Sequence, residues 1–207
     1  MSVAFFMIIT QFTVAGSIVK DGHLNPGLFW DYKQFENKVL FELVEKEGVK
    51  AIHLFADNAA GSAFTKTNID INTTPYLKWT WRVDDLPDNK HEINKKNDDY
   101  PLRIYVIYKP SRLIFKIRTL GYVFASQGDQ LDAYKSAYTK KIQLIAIEKG
   151  KKNIGQWLSY KVNIKQDFKT HFNLDVDDIY GVAIMSDSDN VSNIQQGWIS
   201  NIEFVAN

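Results

Sequence analysis

Hydrophobic residues in this chain recur with a period of two rather than 3.6. Residues 76–83 alternate most cleanly. Leu77, Trp79, Trp81 and Val83 fall on one face of an extended strand, and Lys78, Thr80 and Arg82 on the other. Residues 102–108 repeat the pattern, with Leu102, Ile104, Val106 and Tyr108 set against Arg103, Tyr105 and Ile107. The same reading predicts strands over 39–44, 49–55, 64–71, 113–125, 141–147, 157–164, 180–185 and 198–205, the first two joined by a hairpin turn at Glu47-Gly48. Residues 165–172 alone predict a helix, a short one, with Phe168 and Phe172 four apart. Strands that do not alternate with helices predict an all-β fold, a two-sheet antiparallel β-sandwich with one short helix. The face carrying Trp79 and Trp81 is then the core face, because each ring buries about 150–250 Å² and dominates local packing. A sugar-stacking platform is the competing reading of these two indoles.

Composition narrows the function classes. Aromatic residues make up 14% of the 207, in keeping with strands. The formal net charge is +1, so no global field points to nucleic acid or an anionic membrane surface. No cysteine is present, which removes disulfides, thiolate metal sites and a cysteine nucleophile. Residues 3–16 are apolar apart from Thr10, Gln11 and Thr13, a run too short to span a bilayer. It reads as the apolar core of an export signal, with small residues at Ala15, Gly16 and Ser17 for cleavage, although no Lys or Arg precedes Lys20. A first strand is the other reading. The expected organisation is an extension over residues 1–17, with the mature chain beginning near Ser17 or Ile18, followed by one domain over 18–207.

The chemistry lies at strand ends and in one long loop. Residues 84–99, DDLPDNKHEINKKNDD, have no apolar period, and loops of this length are uncommon unless functional. If the flanking strands pair as a long hairpin, Thr80, Arg82, Arg103 and Tyr105 share one polar surface opposite the tryptophans. An arginine fork matches carboxylates and a tyrosine offers a ring face and a hydroxyl, so this surface suits an acidic glycan. A solvated sheet face is the alternative. Asp98-Asp99-Tyr100 closes the loop. Its carboxylates can hold a hard cation, act as a base, or pair with Arg82 or Arg103. Asp187, Asp189 and Asn190 in the run Asp187-Ser188-Asp189-Asn190 offer alternating oxygen ligands of the kind that begin a calcium loop, and calcium is the cofactor they suit. The later Gly and Glu of an EF-hand are missing, and an Asx turn explains the run equally well. Convergence of Asp98 or Asp99 on the same point would favour the metal. His23, His53, His91 and His171 form no metal spacing, and no nucleophile-elbow, phosphate-loop or dinucleotide motif occurs.

Four ordered segments resemble a known family: 76–84 (YLKWTWRVD), 97–100 (NDDY) followed by 103–106 (RIYV), 120–125 (LGYVFA), and 181–190 (GVAIMSDSDN). Together they are similar to the bacterial family catalogued as domain of unknown function 3047, over about residues 27–206. The resemblance implies an exported protein of Gram-negative bacteria, periplasmic or secreted, with a jelly-roll or galactose-binding-like sandwich. Phe124 stands where the family usually has Trp, and Ser186 where it usually has Thr. The expected function is binding of a glycan or other small-molecule ligand through Arg82, Asp98, Asp99, Tyr100, Arg103, Tyr105 and Tyr122. A monomer is expected, with no nucleic acid partner and no stable membrane insertion. The alternative is a polysaccharide lyase or hydrolase, with Asp98 or Asp99 as acid or base, Tyr105 or Tyr122 as proton carrier, and Arg82 or Arg103 neutralising a substrate carboxylate. An envelope structural protein that binds a partner along a sheet edge is a third reading.

Overall fold

The computed structural model describes residues 16–89, 91–110, 116–127, 132–190 and 194–206. The apolar leader read in the sequence lies outside the described residues, up to position 15.

Two seven-stranded sheets pack face to face. The first holds β1 (Ser17–Lys20), β2 (His23–Leu24), β4 (Leu40–Lys46), β5 (Val49–Asp57), β7 (Tyr76–Arg82), β12 (Leu158–Asn163) and β14 (Ile194–Val205). The second runs in the order β10 (Ala133–Lys135), β11 (Ile142–Lys149), β9 (Arg118–Ala125), β8 (Arg103–Tyr108), β13 (Asp178–Asp187), β6 (Ala60–Asp70) and β3 (Trp30–Glu36). Strands β4 and β5 form the expected hairpin. Glu47 and Gly48 both adopt positive φ, 52° and 77°, the geometry of a two-residue turn that follows strand twist. The helix α1 (Ile164–Phe172) starts at Asn163, whose side chain accepts from the Gln166 amide at 3.0 Å, and ends at Asn173 in the left-handed region.

The tryptophan face is the core, as its alternation predicts. Trp79, Trp81, Tyr122 and Phe124 are fully buried between the sheets, with ring centroids 5.3 Å apart for Trp79–Tyr122 and 5.9 Å for Trp81–Phe124. Phe124 therefore fills the interior and is no stacking surface.

Three expectations are corrected. Strands β7 and β8 do not pair, because the loop 83–102 crosses from the first sheet to the second instead of closing a hairpin. Strand β9 pairs with β11 in parallel, whereas the other described pairings are antiparallel. Strands β1, β2, β3 and β10 escape a periodicity reading. The first two and β10 are very short, and β3 is exposed at every position but its first.

The second sheet is also covered on its outer side. Tyr100, Val123, Ala125, Leu144 and Ala146 form a second apolar layer there, with Tyr105, Tyr134 and Ile142 against it. Burial on both faces is why 120–125 reads as a continuous apolar run and not an alternating one. Gly121 lies in this layer. A Cβ at that position would stand 2.7 Å from both Leu144 and the Tyr105 ring.

Candidate functional site

Strand β8 turns Ile104 and Val106 into the core, and so Arg103 and Tyr105 point to the outer face of the second sheet. Arg103 is nevertheless 3% exposed, because the incoming loop and the end of β13 close over it. Its Nη1 donates to Asp98 Oδ2 at 3.2 Å and to the Tyr105 hydroxyl at 3.2 Å. Its Nη2 donates to the Asp98 carbonyl at 2.6 Å and to Asp187 Oδ2. The guanidinium lies over the Tyr100 ring, 4.5 Å from its centroid.

Backbone bonds hold the acids in place. Asp187 Oδ1 accepts from the Tyr100 amide at 2.8 Å, and the Asp187 amide donates to the Tyr100 carbonyl at 3.2 Å. Asp99 accepts from the Asn190 amide at 3.1 Å and from its Nδ2 at 3.0 Å, and the same Nδ2 donates to Asp189 at 2.7 Å. Carboxylate oxygens of Asp99, Asp187 and Asp189 all lie within 4.8 Å of one another. The loop segment 98–99 and the run 187–190 thus converge on one point.

Burial sets the electrostatics. It pushes the Asp187 carboxyl up to about 7, against the downward pull of Arg103. Burial also raises Asp98, which Arg103 again opposes, and it raises Asp189, with the Asp99 charge adding to the effect. The Tyr105 phenol is pushed up by burial as well.

Above these groups opens a cavity of about 340 Å³. Asp98, Arg103, Tyr105, Asp187 and Asp189 supply its polar side; Phe35, Tyr138, Ile142, Met185, Ala60 and Ser136 supply the rest. Phe35 comes from the edge strand β3, and Tyr138 from the turn between β10 and β11. Both rings are about half exposed, 52% and 55%.

Of the residues singled out in the sequence, Asp98, Asp99, Arg103, Tyr105, Asp187, Asp189 and Asn190 come together. Asn190 takes part through its nitrogens, as a clamp on two acids and not as an oxygen ligand. Tyr100 lies beneath the cluster, fully buried, its hydroxyl donating to the Glu92 carbonyl at 3.2 Å and bonded to Tyr134 at 2.9 Å. Three residues are elsewhere. Thr80 lies on β7 in the first sheet, its hydroxyl bonded to that of Ser159 at 2.8 Å. Arg82 ends β7 in the other sheet, where it pairs with Asp84 and Glu47 at 2.5 Å each. Tyr122 faces the core, and its hydroxyl donates to Asp167 at 2.6 Å. Sequence reasoning missed Phe35, Tyr138 and Met185. The one signal for Tyr138 is an aromatic residue in a short turn, SAYTK, where no packing period demands one.

The protein is thus an all-β, two-sheet sandwich with a polar-floored cavity on the outer face of one sheet. It belongs to the family described as "Protein of unknown function (DUF3047)", which matches residues 29–203. Among solved structures, the chain is similar to the family 11 carbohydrate-binding module of the cellulosomal cellulase Lic26A-Cel5E of Clostridium thermocellum. Identity is 12%, coverage 92% of this chain and 94% of that one, and TM-score 0.47. A non-crystalline cellulose specific carbohydrate-binding module, CBM28, is similar at 13% identity, over 85% of this chain and 86% of that one, with TM-score 0.41. TmCBM61, solved with beta-1,4-galactotriose, is similar at 9% identity, over 88% and 89%, with TM-score 0.39. No curated protein matches the sequence. Among the described residues, no helix is long and apolar enough to cross a membrane.

Proposed function

We propose that the protein is a non-catalytic carbohydrate-binding domain that takes a neutral, hydroxyl-rich ligand in the cavity on its second sheet. The observation that carries this reading is the pairing of two half-exposed rings, Phe35 and Tyr138, with a floor of carboxylates fixed by hydrogen bonds. Aromatic faces match the C–H face of a sugar ring, and immobile acceptors match its hydroxyls without an ordering cost on binding.

The charge balance favours a neutral saccharide over the acidic one expected from the sequence. Arg103 is sealed and engaged by Asp98 and Asp187, and the other charged residues lining the cavity are acids. A uronate would meet repulsion there. Catalysis is disfavoured by the same bonds. Asp98 and Asp99, the acids the sequence offers for catalysis, are 3% and 1% exposed and held by Arg103 and Asn190, which keeps them from a substrate proton.

The test is affinity electrophoresis against neutral β-glucans, xylans and galactans beside uronate polymers, followed by mass analysis of the polysaccharide. We expect retention by a neutral polymer, no shortened chains, and about tenfold weaker binding for Tyr138→Ala at an unchanged melting temperature, about 1.4 kcal/mol. Retention by uronate polymers alone, or full binding by Tyr138→Ala, would overturn the reading. Released oligosaccharides would replace it with the polysaccharide-active enzyme.

A further inference from the structure

Four acids gather beside one end of the cavity. Asp98 and Asp187 both pair with the Arg103 guanidinium, and carboxylate oxygens of Asp99 and Asp189 lie near that of Asp187. Their donors come from three places: the end of the long loop, the last residue of β13, and the turn beyond it. Ligating oxygens of Asp99, Asp187 and Asp189 lie within 4.8 Å of one another. A spread of up to 4.8 Å fits a calcium shell, whose oxygens at about 2.3–2.6 Å stand at most about 4.6–5.2 Å apart. An irregular set of acids from three segments suits calcium better than magnesium, which demands near-octahedral geometry and dehydrates reluctantly. The donor set is all oxygen, with no imidazole or thiolate, which suits a hard cation and not a transition metal.

A second observation comes from Asp98. Its side chain is 3% exposed and lines the same cavity as Asp187 and Asp189. Its Oδ2 accepts from Arg103, but its Oδ1 is sealed from solvent and accepts no hydrogen bond. A buried carboxylate oxygen without a donor is costly, and native interiors rarely leave one. A cation beside it would remove that cost. The N–H bonds already made to Asp99 and Asp187 do not compete, because each carboxylate oxygen offers about two acceptor sites.

We propose that Asp99, Asp187 and Asp189 bind a divalent cation of calcium size, with the buried Asp98 carboxylate, one oxygen of which has no donor, lining the same cavity. Asn190 is a positioning residue. Its nitrogens hold Asp99 and Asp189 at the spacing the ion needs. The ion ties the loop 83–102 to the end of β13 and so stiffens the floor of the cavity. This site rests on the cavity but not on what fills it.

The test uses the full chain, stripped with chelator and titrated with calcium chloride in the absence of any glycan. Calorimetry is expected to show one site with a Kd of about 10 µM to 1 mM, and magnesium binding at least about tenfold more weakly. At calcium one hundred times that Kd, the melting midpoint should rise by about 5–10 °C. Asp189→Ala removes the exposed ligand and leaves the Arg103 pairs intact, so it should keep the calcium-free midpoint and weaken calcium at least about tenfold. Asp99→Asn gives the same comparison should Asp189→Ala fail to fold. Absence of both heat and midpoint shift, or full calcium affinity in a folded variant, would overturn the proposal. Calcium binding without retention by any polysaccharide would leave the cation site standing and remove the glycan reading.

Discussion

Arg82 and Arg103 hold matching places in the chain, each on the outward face of a strand that borders the loop 83–102, yet they meet opposite surroundings. Both are nearly buried, at 5% and 3% exposure. Their partners differ. Arg82 pairs with Glu47, whose side chain is 63% exposed, and with Asp84 at 26%. Arg103 pairs with Asp98 at 3% and Asp187 at 5%. What matters for stability is where the partner is left when the arginine is gone. Glu47 would simply return to water, whereas Asp98 and Asp187 would be stranded as unpaired buried charges. Burial of the cation alone does not separate the two; burial of its anions does.

The largest expected effect follows directly. Arg103→Ala should lose about 3–5 kcal/mol of unfolding free energy, read from urea denaturation midpoints, because it orphans two buried carboxylates. A loss no greater than that of Arg82→Ala would break the comparison.

A third acid, half-buried, sharpens it. Asp167 is held not by arginine but by the Tyr122 hydroxyl, and burial raises its carboxyl, with that hydrogen bond and His171 opposing. Asp167→Ala should cost about 1–3 kcal/mol by leaving the Tyr122 hydroxyl unsatisfied in the core. Asp167→Asn keeps an acceptor and should cost little. The sign of the pH effect follows from the raised carboxyl: the folded state holds the proton more tightly than the unfolded chain. The stability this confers is present below the unfolded value and is lost as pH rises through the folded one. Unfolding curves at about pH 4 and about pH 7 should therefore show Asp167→Asn gaining on the wild type as pH rises. An Asp167→Asn variant that loses ground to the wild type as pH rises would contradict the raised carboxyl.

Smaller still is Arg82→Ala, at about 1 kcal/mol. Its cost should shrink when salt is raised to about 1 M, since one partner is exposed, while the Arg103→Ala cost should hold. Lys78, paired at 3.5 Å with Glu203 on the solvated outer face of the first sheet, sets the floor. Lys78→Ala should fall within about 0.5 kcal/mol of wild type by the same denaturation measurement.

The limits of the sequence reading have physical causes. Alternation reports which face of a strand a residue occupies, and it placed Trp79 and Trp81 in the core and Arg103 and Tyr105 outside it. It carries no information on which sheet a strand joins, so Arg82 and Arg103 could not be told apart. Tyr122 lies in a run buried on both faces, where period two vanishes and the direction of a side chain is not legible. The acids were legible because strand ends carry short polar runs that no packing requirement explains. Phe35 and Tyr138 were not, because an exposed edge strand and a turn impose no period.

By itself, then, the sequence determined the all-β class, the inward face of the central strands, the turn at Glu47-Gly48 and the polar segments 98–99 and 187–190, all properties set by neighbours a few residues apart. Only the tertiary structure decided that residues 91 positions apart, Asp99 and Asn190, share a hydrogen bond, that Arg103 is sealed while Arg82 faces an exposed acid, and that two rings line the same cavity as the acids. Those outcomes depend on which strands become neighbours and where the loop crosses between sheets. Pairings at that distance leave no mark in a local pattern, because each strand's alternation is satisfied equally well in either sheet.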